Sequence, residues 1–240
     1  MASCRGYCLL IFLVTPLLGS SQLQLNAGCK VETLHACGED YIPFTKGPHL
    51  HESGKELEDG CKRDKVQILC ALNFINDCTE GLSRATALVA VKALEENIEA
   101  ICNVGSDPYK KYQRDIKCLN AHGEKIHKCI KGFHNFLERV IVKGPAEEVI
   151  HYTCCSYQDT LDCIGDALAS CETVGSKDFM IGVIEQMFGE TLNLVCGRYT
   201  KGSEGCRTLP QLPELGAKDR RIGNLVELLL EAAGSIGRKS

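Results

Sequence analysis

The chain has 240 residues, with sixteen cysteines, no tryptophan, a formal net charge of −4 and a pI near 6.0. That length suffices for one large or two small domains with a real core, and the mild acidity gives no global reason to expect a nucleic-acid partner. A cytosolic chain rarely keeps so many thiols, so the cysteine content points to an oxidising compartment.

The first residues, MASCRGYCLLIFLVTPLLGSS, hold a single early Arg5, an apolar run from Cys8 to Leu18, and then small residues. This is the pattern of a secretory signal peptide over residues 1–21, with an apolar run too short to span a bilayer. No later stretch is long and apolar enough to do so, and the expectation is a secreted, extracellular protein without a transmembrane segment. Cleavage near Ser21 removes Cys4 and Cys8. Fourteen cysteines remain: Cys29, Cys37, Cys61, Cys70, Cys78, Cys102, Cys118, Cys129, Cys154, Cys155, Cys163, Cys171, Cys196 and Cys206. An even number permits seven structural disulfides with no free thiol, but it leaves their connectivity open.

The spacings carry more information. Cys29, Cys37 and Cys61 follow C-x7-C-x23-C, and Cys70, Cys78 and Cys102 repeat it. Cys118, Cys129 and Cys154 read C-x10-C-x24-C, and Cys163, Cys171 and Cys196 read C-x7-C-x24-C. Cys61, Cys70, Cys78 and Cys102 reappear as Cys154, Cys163, Cys171 and Cys196 at offsets of 93, 93, 93 and 94. Such self-similarity marks a duplicated unit. The expected plan is four helical hairpins in a disulfide-stabilised domain over residues 22–206, with repeat halves at about 29–108 and 118–200. Segments 61–102 and 154–196 should then form matching helix pairs with equivalent bridges.

Taken in chain order, GEDYIPFTKGPHLHESGKELEDG (38–60) holds Pro43, Pro48 and several glycines and reads as a loop, so the second helix of the first unit is expected to be short. Leu88, Val91, Leu94, Ile98 and Ile101 lie on one helical face behind Ser83 as N-cap. Ile126, Ile130, Phe133, Leu137 and Val140 form a second stripe. Ile150, Cys154, Tyr157, Leu161, Ile164, Leu168 and Cys171 form a third, with Pro145 in its first turn. Met180, Val183, Ile184, Met187, Leu194 and Val195 follow Ser176. A linker, GSEGCRTLPQLPELGAK (202–218), leads into a C-terminal amphipathic helix, with Ile222, Leu225, Val226, Leu229 and Ala233 on one face, within a segment 207–240. No segment alternates with period two, so the fold class is all-α, a disulfide-rich helical bundle or array of hairpins with an internal duplication. Four units of three account for twelve cysteines. The two left over, Cys155 and Cys206, are expected to bond and to fasten the C-terminal linker to the helix that follows Pro145.

CCSYQD, from Cys154 to Asp159, resembles the active-site helix of the secreted phospholipases A2, where a Cys-Cys pair precedes a His-Asp dyad. That chemistry needs a histidine general base and a calcium ion. Here the positions hold Gln158 and Asp159, and no glycine-rich calcium loop lies upstream. No G-x-S-x-G, H-E-x-x-H or phosphate-binding glycine loop occurs, so no catalytic residue, cofactor or metal is expected. His49, His51 and Glu52 are read as a solvated loop rather than a metal site, and His127 and His134 as making polar contacts on a helix surface. Residues 107–143 carry nine Lys or Arg against four Asp or Glu, while 38–60 carry six acids against two lysines. The preferred reading is that the acidic loop packs near these basic helices, or that both are solvated faces.

A signal peptide, an all-helical body of this size and many cysteines, with stretches such as CTEGLSRATALVAVKALEENIEAIC and CCSYQDTLDC, resemble the arthropod secreted cysteine-rich haemolymph-glycoprotein-like family over most of the mature chain. No Asn-x-Ser/Thr glycosylation sequon occurs. The resemblance implies no enzymatic mechanism. The expected function is a secreted, non-enzymatic, disulfide-stabilised protein of body fluid or secretion that binds a ligand or protein partner. The alternatives are a venom or salivary toxin or effector and, more remotely, a phospholipase-like lipid-active protein.

Overall fold

A computed structural model describes residues 23–236, so the expected signal peptide and its two cysteines lie outside the described residues, as does the side chain of Leu194. Nine α-helices and two short 3-10 segments make up the described fold: α1 (Val31–Cys37), α2 (Gly54–Cys78), α3 (Gly81–Cys102), α4 (Asp107–Ala121), α5 (Gly123–Lys143), α6 (Val149–Ala167), α7 (Ser176–Val195), α8 (Glu204–Thr208) and α9 (Leu225–Ser235), with 3-10 turns Ala146–Glu148 and Ala169–Val174. No strand occurs among the described residues. The protein is all-α and disulfide-rich.

The predicted stripes are buried: Leu137, Val140 and Ile126 on α5, Ile164 and Cys154 on α6, and Val91 and Leu94 on α3. Helix starts differ by small amounts. The N-cap of α3 is Glu80 rather than Ser83, Gly175 precedes Ser176 at α7, and Pro145 opens a 3-10 turn ahead of α6. Ser106 caps α4 by accepting the Tyr109 N–H at 3.1 Å, with Pro108 in the first turn.

All fourteen cysteines of the described chain are paired. Cys29–Cys78, Cys37–Cys70 and Cys61–Cys102 close the first half. Cys118–Cys171, Cys129–Cys163 and Cys154–Cys196 close the second. In each half the first cysteine bonds the fifth, the second the fourth and the third the sixth, so the connectivity is identical. It also corrects the expected plan of four hairpins. Every bridge joins one three-cysteine unit to its neighbour, so the closed element is a set of six cysteines, present twice. The equivalent helices α3 and α7 pack against each other between the halves. The seventh bridge, Cys155–Cys206, is the one expected from elimination.

The halves differ where their spacing is nearly the same. Between Cys129 and Cys154 the second half continues α5 as a full helix. The first half instead ends α1 at Gly38, whose φ of +79° suits only glycine, and runs a loop to Ser53. Helix then resumes at Gly54, so the expected loop over 38–60 runs into the first turns of α2. The short helix of the first unit is α1, of 7 residues, whereas α2 is the longest at 25.

The loop is docked rather than solvated. Asn120 Nδ2 donates to Leu50 O at 2.9 Å and its Oδ1 accepts the Leu50 N–H at 2.8 Å. Gln113 Nε2 donates to Glu52 O at 2.6 Å, and His127 Nδ1 donates to the carbonyl of Phe44, which sits at φ +59°. Pro48 O lies so close to Gly123 that a Cβ there would come within 1.7 Å of it. The acidic loop therefore does pack on α4 and α5, mostly through neutral groups, with Asn120 Nδ2 also donating to Glu52 Oε1 at 3.1 Å. No ion pair joins residues 38–60 to 107–143 among the described residues.

The C-terminal helix departs most from expectation. α9 packs against α3, α5 and α6 and is buried nearly all round, with Leu225, Val226, Leu228, Leu230, Ala232 and Ala233 each at 3% exposure or less. Leu229, placed on its buried face from the sequence, is only partly buried. Two acids are buried with it. Glu227 accepts from His35 Nε2 at 2.6 Å, and Arg220 donates to Glu231 at 2.5 Å. Glu39 accepts the Leu225 N–H at 2.8 Å, placing a carboxylate at the positive end of α9. The linker to α9 is pinned along α5 by Lys143–Asp219, Arg139–Glu214 and the Ile222 N–H to Glu138.

Candidate functional site

The loop over 38–53, together with α2, α3, α4 and α7, encloses a chamber of about 150 Å³. Its apolar wall includes Leu57, Leu94, Ile101, Phe179, Met180 and Val183, and the Cys61–Cys102 bridge lines one side. Tyr112 and Phe179 meet edge to face across it, with ring centroids 6.1 Å apart.

Three polar side chains of the lining are left without partners. The Tyr41 hydroxyl is buried and unpaired, on a residue 1% exposed. Asp64 is 7% exposed, and its Oδ1 has no hydrogen-bond partner. Arg63 Nε, the nearest cation, stands 3.6 Å from that oxygen, outside hydrogen-bond reach. His51 accepts from Arg63 at Nε2 at 2.5 Å, which leaves its proton on Nδ1, buried without a hydrogen bond and 3.6 Å from Glu56 Oε1. Burial pushes the Asp64 carboxyl above the usual carboxylate range; Arg63 and His51 oppose the shift and Asp40 adds to it. Burial likewise raises Tyr41, helped by Glu39, and Tyr112, helped by Asp64, Glu56 and Glu52. A buried polar group without a hydrogen bond costs about 1–3 kcal/mol, and Arg63 and Glu56, each 3.6 Å away, offset part of that for Asp64 and His51 but nothing does so for the Tyr41 hydroxyl.

The repeat supplies a comparison. A second, smaller chamber of about 40 Å³ is lined by Thr86, Ala87, Ala90, Ile150, Met187 and Phe133. At the 93-residue offset, Thr86, Ala87 and Ala90 correspond to Phe179, Met180 and Val183 of the first chamber, while Leu57 and Leu94 correspond to Ile150 and Met187. The two chambers are thus the same place in the two halves. The second is almost wholly apolar and is closed by Leu229, Ala232, Ala233 and Ile236 at α9. Where the first chamber has Tyr41 and Asp64, the second half has Phe133 (aligned through Cys37 and Cys129) and Tyr157. The Tyr157 hydroxyl is pushed up to about 12, by burial and then by Glu185.

The expected candidates fall elsewhere or into structural roles. His49 donates to Glu56 at 2.8 Å, and His51 is engaged by Arg63, so they do not converge on one point with Glu52. His127 is taken up by Phe44 O, while His134 Nε2 is unpaired, and the two are not brought together. One His/Cys cluster of metal-binding size occurs among the described residues, Cys118, His122 and Cys171, but both sulfurs are spent in a disulfide and the geometry is structural. Asp159 is exposed on the wall of an open groove of about 1,100 Å³ beside the Cys155–Cys206 bridge, and Asp162 is paired with Lys201. Nothing there assembles a water-activating base with a calcium loop. No helix among the described residues is long and apolar enough to cross a membrane.

Sequence reasoning did not find Tyr41, Asp64 or the chamber. Tyr41 lay within the segment read as a loop and Asp64 in none of the stripes; alignment of the two halves beyond the cysteines was the signal available. Comparison with protein-family models, with curated proteins and with solved structures found no match to this chain.

Proposed function

We propose that this chain is a secreted, non-enzymatic binding protein of a body fluid or secretion, and that it holds a small molecule in the chamber between α2, α3 and α7. The observation that carries this reading is the chamber itself: an enclosed apolar space whose lining holds the unpaired Tyr41 hydroxyl and Asp64 oxygen. Binding sites of small ligands are of this kind, mostly apolar with a few convergent polar groups. The seven disulfides support an oxidising, extracellular setting, as does the signal-like segment over residues 1–21. The resemblance to arthropod cysteine-rich haemolymph proteins is in keeping with a circulating carrier, and no group in the chamber is placed to act as a nucleophile beside a base.

Expression of the full chain in cells with a secretory pathway tests both parts. The expected result is export of a processed protein with all fourteen cysteines oxidised, and a native mass spectrum containing a species heavier than the polypeptide by one small molecule. Retention in the cell in reduced form would rule out the extracellular reading. An exported protein that shows no bound mass and takes up no small apolar probe would rule out the carrier.

A further inference from the structure

We infer that the chamber selects a small amine: a ligand of roughly six to ten non-hydrogen atoms, with an aromatic or branched apolar body and a protonated amino head seated against Asp64 and Tyr41. This deepens the carrier reading and rests on it.

Size comes first. A cavity of about 150 Å³ admits a molecule the size of benzene. Leu94, Ile101, Met180 and Val183 offer no hydrogen bonds, so the ligand body must be apolar. The head must satisfy what the protein leaves open. The Asp64 carboxylate can only accept, and the Tyr41 hydroxyl can accept or donate, so a donor head serves both and a carboxylate head serves Asp64 badly. An ionised carboxylate in an apolar site is costly until a cation meets it.

The surroundings favour that cation. The loop and the start of α2 bring Glu39, Asp40, Glu52 and Glu56 around the chamber, whereas the nearby bases are already engaged. Lys46 is paired with Glu39 at 2.8 Å and His49 with Glu56, and Arg63, whose Nε stands 3.6 Å from Asp64 Oδ1, donates through its end nitrogen to His51. The acidic bias of residues 38–60 becomes a field that steers and holds a positive ligand. Tyr112 adds aromatic surface in the same wall, while Phe179 beside it already has Lys111 Nζ over its ring, 5.7 Å from the centroid. The twin chamber sharpens the inference: in the second half Phe133 replaces Tyr41, Tyr157 stands at the sequence position of Asp64 without lining the chamber, and apolar side chains of α9 close the space. The fold accepts Phe at the position of Tyr41, so that hydroxyl is not demanded by packing.

The test uses the intact oxidised protein and three probes of one shape, titrated by calorimetry and ligand-observed NMR: 2-phenylethylamine, ethylbenzene and phenylacetate. The amine is expected to bind at least tenfold tighter than ethylbenzene, with phenylacetate weakest. Asp64→Asn should weaken the amine at least tenfold and leave ethylbenzene unchanged, and Tyr41→Phe should weaken the amine to a lesser degree. Both substitutions nearly preserve side-chain shape, and an unaltered far-ultraviolet spectrum and thermal transition establish folding. Val183→Phe, which fills the chamber, should abolish all binding. Ethylbenzene bound without preference for the amine, or an amine affinity that Asp64→Asn does not change, would sink the amine assignment while sparing the carrier. Binding of none of the three at millimolar concentration would sink both.

Discussion

Replacing Cys155 and Cys206 together by serine isolates the one bridge that belongs to neither repeat. Considered alone, a bridge across 51 residues restricts the unfolded chain by about 4 kcal/mol. The neighbouring residue Cys154 is already bonded to Cys196, however, so the shortest covalent path between positions 155 and 206 runs through that bond and the segment after it. That path closes only about a dozen residues, for which the same relation gives about 3 kcal/mol. In a chain of this size the loss corresponds to a fall in Tm of about 6–12 °C, measured by calorimetry under non-reducing conditions. The shared covalent path makes the two losses non-additive. Once Cys154–Cys196 is absent, the remaining bridge closes the long loop, so removing both pairs should cost about 1 kcal/mol more than the sum of the separate losses. A Tm within about 2 °C of the parent for the first variant, or strict additivity in the cycle, would refute the reasoning.

Leu228→Ala, at a fully buried position of α9, should cost about 2–5 kcal/mol in urea unfolding, a loss that an ordinary amphipathic surface helix would not show at a solvent-facing position. Gly123→Ala sets a Cβ against Pro48 O and should loosen the loop over 38–53, read as faster amide exchange at Leu50 and a loss of about 1–3 kcal/mol. Asp64 has a folded pKa above its unfolded value, so its ionisation weakens the empty protein as pH rises above 3.8, and the penalty disappears as pH falls below it. Asp64→Asn should therefore stabilise the ligand-free protein at pH 7 by on the order of 1 kcal/mol and converge with the parent below pH 3.8. Asp219 behaves oppositely: hydrogen bonds from Lys143 and the Gly216 N–H hold its pKa below 3.8, so its contribution is full above that pH and fades as pH falls through the depressed value. A pH series in which Asp219→Asn differed from the parent more at pH 2 than at pH 7 would contradict that sign.

The all-helical class and the seventh bridge were legible because cysteine spacing and 3.6-residue periodicity are local or countable signals. The unit of duplication was not, because equal spacings cannot tell which cysteines bond. C-x7-C-x23-C groups three cysteines, whereas the bonds Cys37–Cys70 and Cys61–Cys102 interlock two such groups. The contrast between the loop after Gly38 and the helix that continues through α5 was legible despite near-equal spacing, since Pro43 and Pro48 act in one half only; the return to helix at Gly54 was not. The burial of α9 was obscured by Glu227 and Glu231, which look like a wet face until His35 and Arg220 arrive from elsewhere in the chain. The chamber depends on longer distances still. Tyr41, Asp64, Leu94 and Met180 come from four elements, and no periodicity joins them.

Leu229→Ala turns the comparison of the two chambers into an experiment. Leu229 is only partly buried, so truncating it should cost about 1–3 kcal/mol, at or below the low end for core leucines. What it removes is part of the closure of the second chamber, which then enlarges beyond about 40 Å³ between Phe133, Ile150 and Met187. A new apolar cavity of this kind stays dry and accepts apolar guests. The Leu229→Ala protein should therefore acquire a second site for ethylbenzene. That site should show no preference for 2-phenylethylamine, because Phe133 stands where the first chamber has Tyr41, and Tyr157 where it has Asp64. Combining Leu229→Ala with Asp64→Asn makes the contrast decisive: two ethylbenzene sites and no tight amine site are expected by titration. A tight amine site that persists in the double variant would mean that cation recognition belongs to the shape of the duplicated half and not to the polar residues that distinguish one half from the other.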